Sequence, residues 1–168
     1  AGGYQHWLKY KARGQLMPCA VVLGCPPYVA FMGPQKLPLG MDEMEVAGGL
    51  AGEAVQMVKA VSVDLMVPAD AEVVIEGLID PSKGEPEGPF GESHGHVALE
   101  EFNMPFEVTA ITHKRKAVVP SYISQVTPSE SSVIKRVAYE PLFYHHLRNH
   151  LNITSVRRVS LHEPLTSL

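Results

Sequence analysis

Hydrophobic and polar positions follow two different periods along this chain. Tyr4 to Arg13 has a helical pattern whose last turns hold Lys9, Lys11 and Arg13, cations that suit the negative end of a helix dipole. Gly14 then supplies a left-handed stop. Cys19 to Leu23 is a continuous apolar run of strand length, the pattern of a strand buried on both faces. Gly24-Cys25-Pro26-Pro27 ends it, because a proline pair can begin a helix but cannot continue a ladder. A Gly/Pro-punctuated loop covers 30–40. Asp42, with Glu45 three residues on, has capping-box spacing and predicts a helix. Gly48, Gly49 and Gly52 inside that helix predict close approach of a second backbone or a ligand.

From Gln56 the pattern becomes strand-like. Segments 56–63, 72–79, 96–99, 105–113 and 117–122 are rich in Val and Ile, partly alternating, and separated by turn residues. Between the last two, His113-Lys114-Arg115-Lys116 reads as the solvated tip of a hairpin. Thr127-Pro128-Ser129-Glu130 announces a helix, with Thr127 as N-cap, Pro128 at the first helical position and Glu130 as reciprocal partner. This helix should run toward Leu151 with a break near Pro141, and 155–161 predicts one more strand. The expected architecture is α+β and β-rich, a single domain over residues 1–168 built on a barrel-like sheet with flanking helices.

Composition narrows the function class. Over 168 residues, 45% are hydrophobic and 19% charged, a globular balance. A net charge of -4 provides no electrostatic footprint for nucleic acid or an anionic membrane, and no apolar run reaches membrane-spanning length. Cys19 and Cys25 have no CxxC spacing, which fits a reducing, cytoplasmic setting. The first residue is Ala1 rather than Met, the mark of a processed or truncated chain.

Candidate chemistry concentrates in the loop 80–92, which has three glycines and three prolines and carries Glu87 and Glu92. Two carboxylates in one site can hold different pKa values, one donating a proton while the other stays ionised. A solvated turn accounts for the same loop locally. Glu43 sits in the first turn of a predicted helix, where dipole compensation and ligation of a divalent metal are both open. Met32-Gly33-Pro34-Gln35-Lys36 can cradle a phosphate through backbone N–H groups and Lys36, without any P-loop pattern. His94 with His96, and His146 with His150, have metal-like spacings without Cys or acidic companions; the last pair reads as the polar face of its helix.

The ordered string changes this picture. It runs from Pro18-Cys-Ala-Val-Val-Leu-Gly-Cys-Pro-Pro27 through Pro68-Ala-Asp-Ala-Glu-Val-Val-Ile-Glu-Gly77 to Glu87-Gly-Pro-Phe-Gly-Glu92 and Val108-Thr-Ala-Ile-Thr-His113. Together these resemble the central part of the UbiD family of prenylated-FMN-dependent (de)carboxylases, which includes ferulic acid decarboxylases. The resemblance covers nearly the whole chain. It implies a split β-barrel of the flavin-reductase, FMN-binding kind, and reversible decarboxylation of an aromatic or α,β-unsaturated acid through a prenylated FMN adduct. It also implies Mn2+ and K+, and a homo-oligomer when complete. By the same resemblance Glu92 is the proton donor, Glu87 holds a catalytic arginine, Glu43 is a metal ligand, and Met32, Gly33, Gln35 and Lys36 hold the flavin phosphate and potassium.

Three departures limit the match. The family's catalytic arginine and metal-binding asparagine lie upstream of this sequence. Its metal-binding histidine aligns with Gly2, with His6 one turn later, and its phosphate-binding lysine lies downstream. The expectation is therefore the central flavin-binding segment of a larger enzyme, inactive alone, whose partners are a small unsaturated acid and the remaining domains or subunits. The alternative is a non-catalytic split-barrel module that binds a flavin phosphate or a protein.

Overall fold

The computed structural model describes residues 3–33, 35, 37, 40–91, 97–98, 102–123, 126 and 128–161. The chain divides into two compact units, Ala1–Pro86 with Phe102–Pro120, and Glu87–Glu101 with Ser121–Leu168.

The first unit opens with helix α1 (Gly3–Arg13) and strand β1 (Met17–Leu23), followed by the short helix α2 (Pro27–Met32) and helix α3 (Glu43–Ala51). Strands β2 (Met57–Lys59), β3 (Met66–Pro68) and β4 (Val73–Ile79) come next, and β7 (Phe106–His113) closes the unit. An antiparallel sheet has the order β1-β4-β7, and β2 pairs with β3 in a separate ribbon. Strand β4 is central. Met17 faces Ile79 and Leu23 faces Val73 across one edge, while Val73 faces His113 and Ile79 faces Phe106 across the other.

Alternation along the strands gives this sheet two faces. Val22 and Val74 point into a core shared with Val29 and Met32 of α2, Ala47 of α3, and Val63 and Val67 around β3. On the opposite face, among the described residues, one end is covered. There Trp7 of α1 is 3% exposed and packs with Met17 and Ile79, and Phe102 meets its ring edge-on at 5.7 Å. Further along that face, Val21 and Ile111, the two cross-strand partners of Ile75, stay 41% and 59% exposed. The apolar run Cys19 to Leu23 is thus not buried on both faces; an edge strand with one open face accounts for it.

A carboxylate sits on the core face. Glu76, in the middle of β4, is 1% exposed. Its Oε1 accepts from the Val61 amide at 2.9 Å, and its Oε2 accepts from the Ser62 amide at 2.5 Å and the Ser62 hydroxyl at 2.8 Å. The Ser62 hydroxyl in turn meets Thr109 Oγ1 of β7 at 2.6 Å. The backbone N–H groups of Val61 and Ser62 hold the Glu76 carboxyl below the usual carboxylate range, against the opposing effect of burial. Beside it, the β4–β7 register shifts between Glu76 and Gly77. A Cβ on Gly77 would run into the Glu107 carbonyl, and it would lie 2.6 Å from Cε2 of Phe106.

In the second unit, β5 (Phe90–Gly91) pairs with β6 (Val97–Ala98), and helix α4 (Glu130–His145) continues into a π-helical turn, His146–His150. Among the described residues no sheet closes into a barrel.

Several expectations change in detail. The strand expected over 56–63 shortens to β2, because the amides of Val61 and Ser62 turn to Glu76 instead of a neighbouring strand. Segment 117–122 is not a strand: the Val118 amide donates to Glu72 Oε2 at 3.1 Å. The basic cluster is therefore not a hairpin tip. Lys114 Nζ lies 2.9 Å from Glu72 Oε1 and donates to the Asp70 carbonyl at 3.1 Å. The predicted cap Thr127 lies outside the described residues. The N-cap is Ser129, in a reciprocal box with Ser132, so Pro128 precedes the helix and Glu130 begins it. Pro141 stays inside α4, and the irregularity comes one turn later, in the π segment. Segment 155–161 is not a strand either. Its Leu161 amide donates to Glu140 Oε1 at 2.9 Å, a tie to a helix rather than to a ladder.

The surroundings of β4 make two predictions about stability. Because the folded-state pKa of Glu76 is lowered, its contribution is fully present above the unfolded value of about 4.3 and is lost as pH falls through the lower folded value. Glu76→Gln also turns an amide N–H2 toward backbone donors. The variant should therefore have a lower denaturation midpoint at neutral pH and a shallower loss of stability on acidification; a midpoint tracking the parent throughout would rule the carboxylate out as the anchor. Gly77→Ala should destabilise by roughly 1–3 kcal/mol through overpacking, read as a lower urea midpoint at unchanged slope.

Candidate functional site

The loop that carries Glu87 is built in steps. It starts on an Asx turn, in which Asp80 Oδ1 accepts from the Ser82 amide at 2.9 Å and the Ser82 hydroxyl at 2.7 Å. Those bonds hold the Asp80 carboxyl below its ordinary value. Glu85 then exchanges backbone hydrogen bonds with Asn103, at 3.0 and 2.7 Å. Beyond Pro86 the chain enters the second unit with Glu87 exposed, and Gly88-Pro89 leads into β5, where Phe90 faces Ala98 and Gly91 faces Val97. A short ladder thus begins within three residues of Glu87, so its backbone is anchored while its side chain stays accessible. Glu92, His94 and His96 lie outside the described residues.

Glu43 occupies the first turn of α3, in the first unit. Asp42 is the N-cap, accepting from the Met44 amide at 2.7 Å, a bond worth about 1 kcal/mol to a helix. Glu43's own backbone N–H is the largest influence holding its carboxyl below the usual range, so it is ionised at neutral pH. The glycines of this helix act in the backbone. A Cβ on Gly48 would meet the Glu53 carbonyl at 2.9 Å, and Gly52 closes the helix in the left-handed region at φ 77. Gly49 faces open space. An open cleft of about 730 Å³ lies along α3, lined by Asp42, Glu45, Gly49, Glu53, Met57 and Met66.

Met32 and Gly33 end α2. Met32 is 3% exposed and belongs to the core. The Gly33 amide donates to the Val29 carbonyl at 3.0 Å and the Gln35 amide to the Met32 carbonyl at 3.0 Å, while Gln35 Nε2 donates to Phe31 O at 3.2 Å. These donors are turned back on α2. A Cβ at Gly33 would come no closer than 3.6 Å to Ala30 O, so the backbone there does not require glycine for space. Lys36 lies outside the described residues.

The structure also gives roles to residues that the sequence singles out only as a string. Glu72 ties Lys114 and Val118, and hydrogen bonding to Lys114 is the main cause of its lowered pKa. Glu76 gathers the 61–62 amides. Burial raises the thiol pKa of Cys19 and of Cys25, with Asp70 adding to the second, so both stay protonated and are poor nucleophiles. His146 and His150 stack at 5.4 Å, both exposed. In the same unit a shallow, open and mainly apolar groove of about 570 Å³ is lined by Tyr122, Ile123, Pro128, Glu130, Val133 and Ile134.

Among the described residues no three His, Cys, Asp or Glu side chains gather into a metal site. The expected phosphate donors at Gly33 and Gln35 are engaged in the helix end. Of the carboxylates expected in the site, Glu43 belongs to the first unit and Glu87 to the second, and Glu92 lies outside the described residues. No helix among the described residues is long and apolar enough to cross a membrane.

Comparison with known proteins places these features in a family. The profile of UbiD, the 3-octaprenyl-4-hydroxybenzoate carboxy-lyase Rift-related domain, matches residues 1–126. An evolved dimeric form of the UbiD-class enzyme HmfF from Pelotomaculum thermopropionicum, solved in complex with prFMN, is 32% identical with a TM-score of 0.84. That match covers 98% of this chain and 37% of HmfF. The vanillic acid decarboxylase of Sedimentibacter hydroxybenzoicus in closed form is 27% identical with a TM-score of 0.80, covering 94% of this chain and 33% of that one. The 3,4-dihydroxybenzoic acid decarboxylase AroY of Klebsiella pneumoniae shares the fold at 24% identity, with a TM-score of 0.77 over 99% of this chain and 36% of that one. The chain spans about a third of the length of these enzymes, and it belongs to the UbiD family.

Proposed function

We propose that this chain is the central segment of a UbiD-like carboxy-lyase, one that reversibly decarboxylates an aromatic or α,β-unsaturated acid with a prenylated FMN. The observation that carries the reading is the match of 98% of the chain to a UbiD-class enzyme solved with prFMN, together with the retained Glu87-Gly-Pro-Phe-Gly-Glu92 loop. The open aliphatic face at Val21 and Ile111 supports a larger protein, because contiguous exposed apolar surface usually marks an interface. In the whole enzyme the β1-β4-β7 sheet would contribute to a split barrel. A complete protein of this kind would be a cytoplasmic homo-oligomer.

When bound, the prenylated flavin would supply the electron sink for the carbon that loses carbon dioxide. The residues of this chain would handle the proton and the orientation. Glu92 would deliver the proton to that carbon, and Glu87 would hold an arginine supplied by the remainder of the protein. Glu43, ionised at neutral pH, would donate one oxygen to a manganese ion whose other ligands lie elsewhere. Met32, Gly33, Gln35 and Lys36 would border the flavin phosphate and its potassium. Engagement of the Gly33 and Gln35 amides in the α2 end leaves side chains and carbonyls as the contacts there. The open, mainly apolar groove at Tyr122, Ile123 and Val133 would offer one apolar wall to an aromatic ring.

If the arginine and the phosphate-binding lysine of the reaction come from outside residues 1–168, the purified 168-residue chain, given prenylated FMN and an aromatic acid, should release no carbon dioxide; turnover would refute the segment reading. In the complete enzyme, Glu92→Gln should lower kcat by about 10²–10⁴ and abolish solvent-deuterium incorporation at the product carbon. Unaltered incorporation would remove Glu92 from that role.

A further inference from the structure

Charge in this chain is unevenly placed. Between Lys135 and Arg158 stand five cationic side chains, Lys135, Arg136, Arg148, Arg157 and Arg158, against the single acid Glu140, in a protein of net charge -4. Folding gathers them further. After the π turn, positive-φ Asn152 reverses the chain, and the segment 156–161 returns along α4. Two ties hold it. Arg148 Nη1 donates to the Val156 carbonyl at 2.8 Å, and the Leu161 amide donates to Glu140 Oε1 at 2.9 Å. Arg157 and Arg158 lie between these ties. They line a groove of about 520 Å³ with Arg136, Glu140, Tyr144 and His145.

The one acid in the groove is already engaged. Glu140 Oε1 takes the Leu161 amide and stands 3.8 Å from Arg136 Nε. Among the described residues Arg157 and Arg158 form no ion pair. Arg157 and Arg158, on a backbone tied at both ends, line the groove together with Arg136, and arginine is the side chain whose planar fork suits an oxyanion. Dispersed surface arginines would not be gathered this way, and the ties at Val156 and Leu161 reduce the ordering that binding requires.

We propose that this groove is a binding site for the oxyanion group of a small ligand, a phosphoryl or carboxylate group, with Arg157 and Arg158 as its primary donors and Arg136 as its far wall. The site uses none of the residues assigned to decarboxylation and stands whether or not that assignment holds.

The test is calorimetric titration of the protein with inorganic phosphate and, separately, with acetate, at constant ionic strength set with sodium chloride. Saturable binding of at least one anion is expected, and the arm that binds more tightly tells a phosphoryl from a carboxylate ligand. The double variant Arg157→Gln/Arg158→Gln should bind at least about tenfold more weakly, the loss of one charge-assisted contact or more, with its thermal midpoint retained. Arg13→Gln, on exposed α1, should bind as the parent does. Absence of saturable binding to either anion, equal affinity in the double variant, or an equal loss in Arg13→Gln would each overturn the proposal. If the double variant misfolds, Arg158→Lys decides it: charge is kept while the planar fork is lost, so phosphate or acetate should still bind but more weakly, and unchanged affinity counts against the site.

Discussion

The first unit depends on a buried negative charge with no cation beside it among the described residues. Glu76 sits at the centre of the central strand, and its carboxylate is satisfied by the amides of Val61 and Ser62 and by the Ser62 hydroxyl. Burying an ion is costly unless its oxygens are hydrogen-bonded. The 61–62 turn therefore has to sit where it does, and the β2–β3 ribbon that flanks it is placed against the sheet. Ser62 carries the constraint to β7 through Thr109, whose hydroxyl also reaches the Glu76 carbonyl at 3.3 Å. One side chain thereby joins the loop, the central strand and the far edge strand.

Around that anchor the other constraints are local. Gly77 gives up its side chain so that Phe106 and the Glu107 carbonyl can close on the bulge. Glu72, at the entrance of β4, fixes the chain beyond β7 by holding Lys114 and the Val118 amide. The motif that carries the family resemblance between Pro68 and Gly77 is thus largely a structural signature: its two glutamates face backbone amides and a lysine. That sets it apart from the Glu87 loop, where an anchored backbone leaves the acid exposed.

Legibility in the sequence tracks how far an interaction reaches along the chain. The α3 cap is readable because Asp42 bonds an amide two residues away, and the stop after α1 because Gly14 must turn at positive φ on its own. Strand β4 is readable because Val and Ile dominate it on both faces. The failures are contacts of long separation. Val118 looks like strand material, but Glu72, 46 residues earlier, takes its amide. Leu161 looks like the end of a strand, but Glu140, 21 residues earlier, takes its amide. Val61 and Ser62 leave the expected strand for Glu76, 15 and 14 residues on. The Glu87 loop is found through its motif, and local reasoning by itself favours a solvated turn.

The same three glutamates show why apolar patterning is a poor guide to where backbone pairing ends. Periodicity reports which residues can be buried, and Val118, Val61 and Leu161 all satisfy that condition. Pairing also requires a free amide, and a carboxylate competes for that amide with a charge-assisted bond, about twice as strong as a neutral one. Glu72, Glu76 and Glu140 each terminate a strand-like run by taking the N–H that a ladder would have used. In each of these three places the observed pairing is shorter than the apolar pattern suggests. Taking an amide does not exclude an ion pair on the same carboxylate: Glu72 also holds Lys114 at 2.9 Å, and Glu140 also stands 3.8 Å from Arg136 Nε.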